Sequence, residues 1–208
     1  MFKELEFLLS GIVFGLAAGI SPGPLFALII SETLKRGKKE GAKVAVSPLI
    51  TDIPVVLLVL FILSNLVEHN LVIGIISLFG ACFLIYLGKE NLQIRTKETE
   101  VRGETKSSFK RAVIVNMLNP NPYIFWLFVG GPMVFRGFQL GISASAVFLV
   151  GFYSLLVGSN IGIVLVVEKS KSFIRSKYYV YVIRALGFAL ILFALFFVYE
   201  GLRLMGLY

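Results

Sequence analysis

Gly19-Ile20-Ser21-Pro22-Gly23-Pro24 interrupts an apolar block that runs from about Leu5 to Leu34. Each proline removes a backbone donor and clashes with the carbonyl four residues back. Two prolines separated by one residue therefore break a helix rather than bend it. The freed carbonyl and N–H groups need partners. At membrane depth, irregular backbone is tolerated only where it is buried in protein or lines a wet cavity. The chain carries a second such element, Asn119-Pro120-Asn121-Pro122, 98 residues further on. Both read small-or-polar, Pro, small-or-polar, Pro. The functional reading is a pair of broken helices forming a solute site. The alternative is two packing kinks.

The context of these elements sets the fold class. Of 208 residues, 57% are hydrophobic and 15% charged, against about 45–50% and about 25% in a soluble domain. The apolar residues lie in six blocks, roughly 5–34, 44–67, 71–92, 112–135, 140–167 and 178–204. Each approaches or exceeds the roughly 20 residues that cross the hydrocarbon layer as a helix. None alternates as barrel strands do. The expectation is an all-α membrane protein of six transmembrane helices in a single membrane domain, 1–208. The first block runs far past the apolar region of a signal peptide, so it reads as a retained helix.

Charge placement gives the orientation. The net charge of +8 sits at block ends, where it matches an anionic membrane face rather than nucleic acid. Seventeen Lys and Arg residues fall in the linkers after blocks one, three and five. Only Lys3, Arg136 and Arg203 fall on the other side. Positive linkers face the cytoplasm, so both termini are expected outside, in a cytoplasmic (inner) membrane. The polar segment 94–108 divides the chain into halves, 1–93 and 109–208. Tyr86-Leu87-Gly88 in the first half is matched by Tyr199-Glu200-Gly201 in the second. Two related halves with three spans each must insert in opposite senses, which makes an inverted repeat.

Asp52 is the one acidic residue near the middle of a block; Glu32, Glu90, Glu168 and Glu200 lie close to ends. Pro24 is 11 residues from Lys35, Asn119 is 8 from Arg111, and Asp52 is 9 from Lys43. At about 1.5 Å per residue these are depths of roughly 12–16 Å, near the bilayer midplane. A mid-bilayer acid costs at least about 2.5–3.5 kcal/mol on insertion scales. Protonation, an internal partner or a bound cation must offset that, which suits a proton-coupling carboxylate. The alternative is a structural hydrogen bond to a broken helix. Thr51 and Pro54 beside it point to local irregularity.

The candidate substrate- and ion-binding set is the two Pro-x-Pro elements with Thr51, Asp52 and Tyr153. Asn119 and Asn121 are favoured as ligands. Asn116 reads as a bond to a neighbouring helix, and Asn160 stays open between site and packing. Gly11, Gly15 and Gly19 have the spacing of close helix packing. Tyr123, Trp126, Tyr178, Tyr179 and Tyr181 read as interfacial anchors or packing residues. The single cysteine, Cys82, cannot form a disulfide within the chain and reads as core. His69 reads as solvated in a short linker. With one His and one isolated Cys, neither an enzyme nor a metal site is expected, and no cofactor is implied. An ion exporter on the same fold, the alternative reading, would want several midplane carboxylates.

Gly19-Ile20-Ser21-Pro22-Gly23-Pro24, then Gly37, Gly41 and Asp52, resemble the first two helices of the LysE/RhtB family of amino-acid exporters. Asn119-Pro120 is similar to that family's fourth-helix element. The resemblance spans the whole chain in length, span count and layout. It implies export of amino acids or related small zwitterionic metabolites, driven by protons. Three positions depart from the family's habit. Leu25 stands where Asn or Asp is frequent, Thr51 where Gly commonly precedes the acid, and Asn121 where Lys is frequent. The last removes an intramembrane partner for Asp52. Six spans leave little protein to shield a moving site, so a homodimer is an expectation.

Overall fold

A computed structural model describes residues 2–64, 70–93, 107–169 and 177–207. Most of the polar linker 94–108, and His69, lie outside the described residues. The described residues are helical, with no strand among them. In order the helices are α1 (Phe2–Ile20), α2 (Pro24–Arg36), α3 (Lys38–Ala45), α4 (Pro48–Ser64) and α5 (Asn70–Leu92). Then come α6 (Ser108–Leu118), α7 (Pro120–Phe125), a π turn (Trp126–Gly130), α8 (Gly131–Leu140), α9 (Ile142–Lys169) and α10 (Lys177–Leu204). Four stretches are long and apolar enough to cross a membrane: Lys38–Ser64, Leu71–Lys89, Ile142–Lys169 and Arg184–Leu204. Two bent pairs raise the number of candidate spans to six. α1 and α2 meet at 59°, and α6 meets the 121–140 segment at 54°.

Both Pro-x-Pro elements are the sites of the bends. The first leaves Ser21–Gly23 outside any helix, and Pro24 then occupies the first turn of α2, where its missing donor costs nothing. The second break is a single residue. Asn119 is extended (φ −80°, ψ 121°), and its side chain accepts a hydrogen bond from Asn121 N at 3.1 Å, capping α7. The π turn that follows has its own proline. Pro132 cannot donate to the Phe128 carbonyl one turn back. That carbonyl lies against Gly80 of α5, where a Cβ would come within 2.3 Å of it. Pro54 sits inside α4 without interrupting it. The irregularity expected beside Asp52 is instead a turn at Val46–Ser47 between α3 and α4.

Two helix pairs hold the bundle. Along α1, a Cβ at Gly11 would meet the Phe148 carbonyl, one at Gly15 the Phe152 carbonyl, and one at Gly19 the Leu156 carbonyl and the Ser159 hydroxyl of α9. The two helices therefore run in the same direction at backbone contact, as the GxxxG spacing predicts. α5 and α10 run in opposite directions. A Cβ at Gly74 would lie 2.9 Å from the Gly201 carbonyl, and one at Gly88 would lie 2.8 Å from the Gly187 carbonyl. Buried Ala81 and Ala194 occupy the middle of the same seven-residue spacing.

Ion pairs mark the two ends. At one, Arg111 of α6 reaches Glu32 of α2 at 2.7 Å, and Lys38 of α3 reaches Glu168 of α9 at 3.5 Å. At the other, Arg136 of α8 reaches Glu6 of α1 at 3.2 Å and lies over the rings of Phe7 and Phe196. Cys82 corrects the expectation made for it: it is exposed on the outer face of α5 rather than packed in the core.

Candidate functional site

α4 places Asp52. Its buried residues Pro48, Thr51, Asp52, Val55, Val59 and Leu63 fall on one helical stripe. The opposite face, Leu49, Ile50, Ile53, Leu57, Leu58 and Phe61, is exposed, as a lipid-facing surface should be. Asp52 thus projects inward, with 5% of its surface exposed.

Three donors from the second half of the chain surround it. Asn116 Nδ2 donates to Oδ1 at 3.3 Å, Trp126 Nε1 to Oδ2 at 3.4 Å, and the Tyr153 hydroxyl to Oδ2 at 3.5 Å. Asn116 also donates to Thr51 Oγ1 at 2.6 Å, and Thr51 donates onward to the Ser47 carbonyl at 3.1 Å. The bonds to the carboxyl group are long for hydrogen bonds. They come from three elements, α6, the π turn and α9, so the acid lies where both halves meet. Among the described residues, no Lys or Arg forms an ion pair with Asp52.

Asp52 opens onto a cavity of about 150 Å³. The first break contributes Ser21, Pro22 and Gly23, and the second contributes Asn119, Asn121 and Pro122. Asn116 and Asn160 add amides, while Phe14, Phe83, Leu84, Phe125, Phe152 and Leu156 supply apolar wall. Asp52 is the one charged side chain among the described residues of that lining. Ser21 donates to Asn91 Oδ1 of α5 at 3.1 Å, which ties the first break to that helix. The Asn91 Nδ2 is buried with no partner among the described residues.

A profile for the LysE type translocator matches residues 16–201. It covers both breaks, Asp52 and every residue that lines the cavity except Phe14. The chain belongs to the LysE type translocator family. It is a multi-pass membrane protein of a transporter family, which points to the movement of small solutes. No curated protein and no solved structure matches it.

Within this translocator the predicted residues separate into three groups. Ser21, Pro22, Gly23, Asp52, Asn119, Asn121 and Pro122 share the cavity. Thr51 and Tyr153 stand behind it as partners of Asn116 and Asp52. Pro24 shapes the start of α2 and does not line the cavity. Pro120 starts α7, and its side chain lies outside the described residues. Asn116 bonds a neighbouring helix as expected, and it also lines the cavity. Asn160 reaches the Ala45 carbonyl at 3.5 Å and lines it too. Trp126 is not an interfacial anchor: it is fully buried and spends its N–H on Asp52.

Proposed function

We propose that this translocator exports zwitterionic amino acids or related metabolites across the cytoplasmic membrane, in exchange for protons. One observation carries the reading. Two helix breaks and the buried carboxyl group of Asp52 line one cavity. The two poles of a zwitterion match what the cavity offers. Asp52 faces the ammonium group or carries the exchanged proton. The N-terminus of α2 opens at the break, and Gly23 provides no capping side chain there. With the helix dipole, that end favours the solute's carboxylate.

The proposed architecture is six spans in two inverted halves, 1–93 and 109–208. The helix pairs support it. Parallel packing of α1 on α9 and antiparallel packing of α5 on α10 are what six alternating spans require. Gly74, Ala81 and Gly88 recur as Gly187, Ala194 and Gly201, each 113 residues later, the same spacing as Tyr86 and Tyr199. Gly74 faces Gly201, the counterpart of Gly88, and Gly88 faces Gly187, the counterpart of Gly74, the reciprocal pairing expected around a two-fold axis in the membrane. The end bearing Lys35, Arg36, Lys38 and Arg111 is taken as cytoplasmic. In alternating access, the short arms α2 and α6 gate that side and the long arms α1 and α7–α8 the other.

Efflux from proteoliposomes loaded with labelled amino acids, with and without an imposed pH gradient, tests this. Gradient-dependent loss of at least one amino acid is expected. Retention of all of them would move the reading to another solute or an ion.

A further inference from the structure

We infer that the transported zwitterion carries an uncharged, apolar side chain of modest size. This rests on the amino-acid export reading and names the substrate class of the same cavity. The first observation is its inventory of charge. Among the described residues that line it, Asp52 is the one charged side chain, and none is Lys, Arg or His. A zwitterion with a neutral side chain brings one ammonium group, which Asp52 answers, and one carboxylate, which backbone donors and amides answer. A basic solute brings a second cation and finds no second carboxylate. An acidic solute brings a second anion and finds no cation, with Asp52 close by. Either surplus charge would be taken from water without a partner, which is strongly unfavourable.

The second observation is the surface that begins at Asp52 itself. Trp126 and Tyr153 both donate to Oδ2, and their rings stack with centroids 6.1 Å apart. From Trp126 the aromatic wall continues to Phe152 at 5.4 Å and Phe125 at 5.5 Å, and from Phe125 to Phe14 at 6.0 Å. An ammonium group held at Asp52 therefore places the rest of the solute against apolar rings. The third observation is room. The cavity of about 150 Å³ is of the size that takes up benzene in an engineered core. That favours a compact solute over one with a large hydrated head group.

Norleucine and lysine separate the terms, because the two share a linear four-carbon chain and differ by the terminal ammonium group. Proteoliposomes holding the wild-type protein are loaded with labelled norleucine, lysine or glutamate, and efflux is timed under the same pH gradient. Norleucine is expected to leave, with lysine and glutamate at least about 10-fold slower. Lysine or glutamate leaving within a smaller margin of norleucine, or faster, would overturn this inference and leave the export reading standing. Retention of all three, while another amino acid leaves, would also overturn the inference alone. Retention of every amino acid would overturn both.

Discussion

Asp52 is legible as a residue because an acid in the middle of an apolar block has no other reading than an expensive one. Its neighbours are less so. Trp126 looks like an interfacial aromatic, and nothing in a linear pattern shows that its N–H is aimed at Asp52 from 74 residues away. Trp126→Phe keeps a ring and removes that donor. We expect a protein that still folds, with transport slowed about 10-fold, equivalent to ~1.4 kcal/mol, in a liposome flux assay. Glu32 carries no such mark in the sequence, because it lies near a block end. It is fully buried, accepts from the Ser108 hydroxyl and Arg111, and has Arg36 at 3.7 Å. The available signal is the basic pair Lys110-Arg111 opening block four, but its pairing with Glu32 is a tertiary fact. Removing one partner of a buried pair leaves an uncompensated charge. Arg111→Ala should cost about 3 kcal/mol, at the low end of the usual range because Arg36 remains. Glu32→Met combined with Arg111→Met should recover much of that loss, as read by chemical unfolding in detergent.

At the scale of elements, the sequence carries most of the fold. Block ends predicted from apolar length fall within a few residues of α5, α9 and α10, since a membrane fixes span length from outside the protein. The two breaks are legible because proline acts locally. Gly37 is a further local necessity: it turns α2 into α3 at φ 84°, a left-handed conformation that side chains other than glycine rarely take. The π turn is not legible: the Phe128 carbonyl that Pro132 cannot donate to lies against Gly80 of another helix, a tertiary contact that no local pattern shows. The glycine seam on α1 gives a sharp test. A Cβ at Gly15 would come within 2.1 Å of the Phe152 carbonyl, whereas one at Gly158, on the same pair of helices, meets nothing within 4 Å. Gly15→Ala should destabilise the protein by about 1–3 kcal/mol, as overpacking does, and Gly158→Ala should be nearly neutral. Thermal unfolding of the two variants side by side would check this.

For the whole molecule, the charge asymmetry becomes a statement about sidedness. Cys82 is exposed, so it is first replaced by Ser to give an unlabelled background. In that background Thr105→Cys, in the long linker, should react with an impermeant maleimide only after cells are opened. Leu207→Cys, near the end of α10, should react in intact cells. The reverse pattern would invert the molecule. Both halves also contribute to the same buried acid: α4 carries Asp52, while Asn116, Trp126 and Tyr153 come from beyond the linker. A movement of one half against the other must change the surroundings of Asp52, and on the proposed mechanism that is how solute and proton become coupled. The most direct test of this is gradient-driven efflux by Asp52→Asn set against wild type in proteoliposomes, with elution volume and helical content checked for both. The account predicts a folded variant that has lost efflux driven by the pH gradient. A variant that still drives efflux like wild type would contradict it, and Asp52 would then be a structural hydrogen-bond acceptor rather than the coupling group.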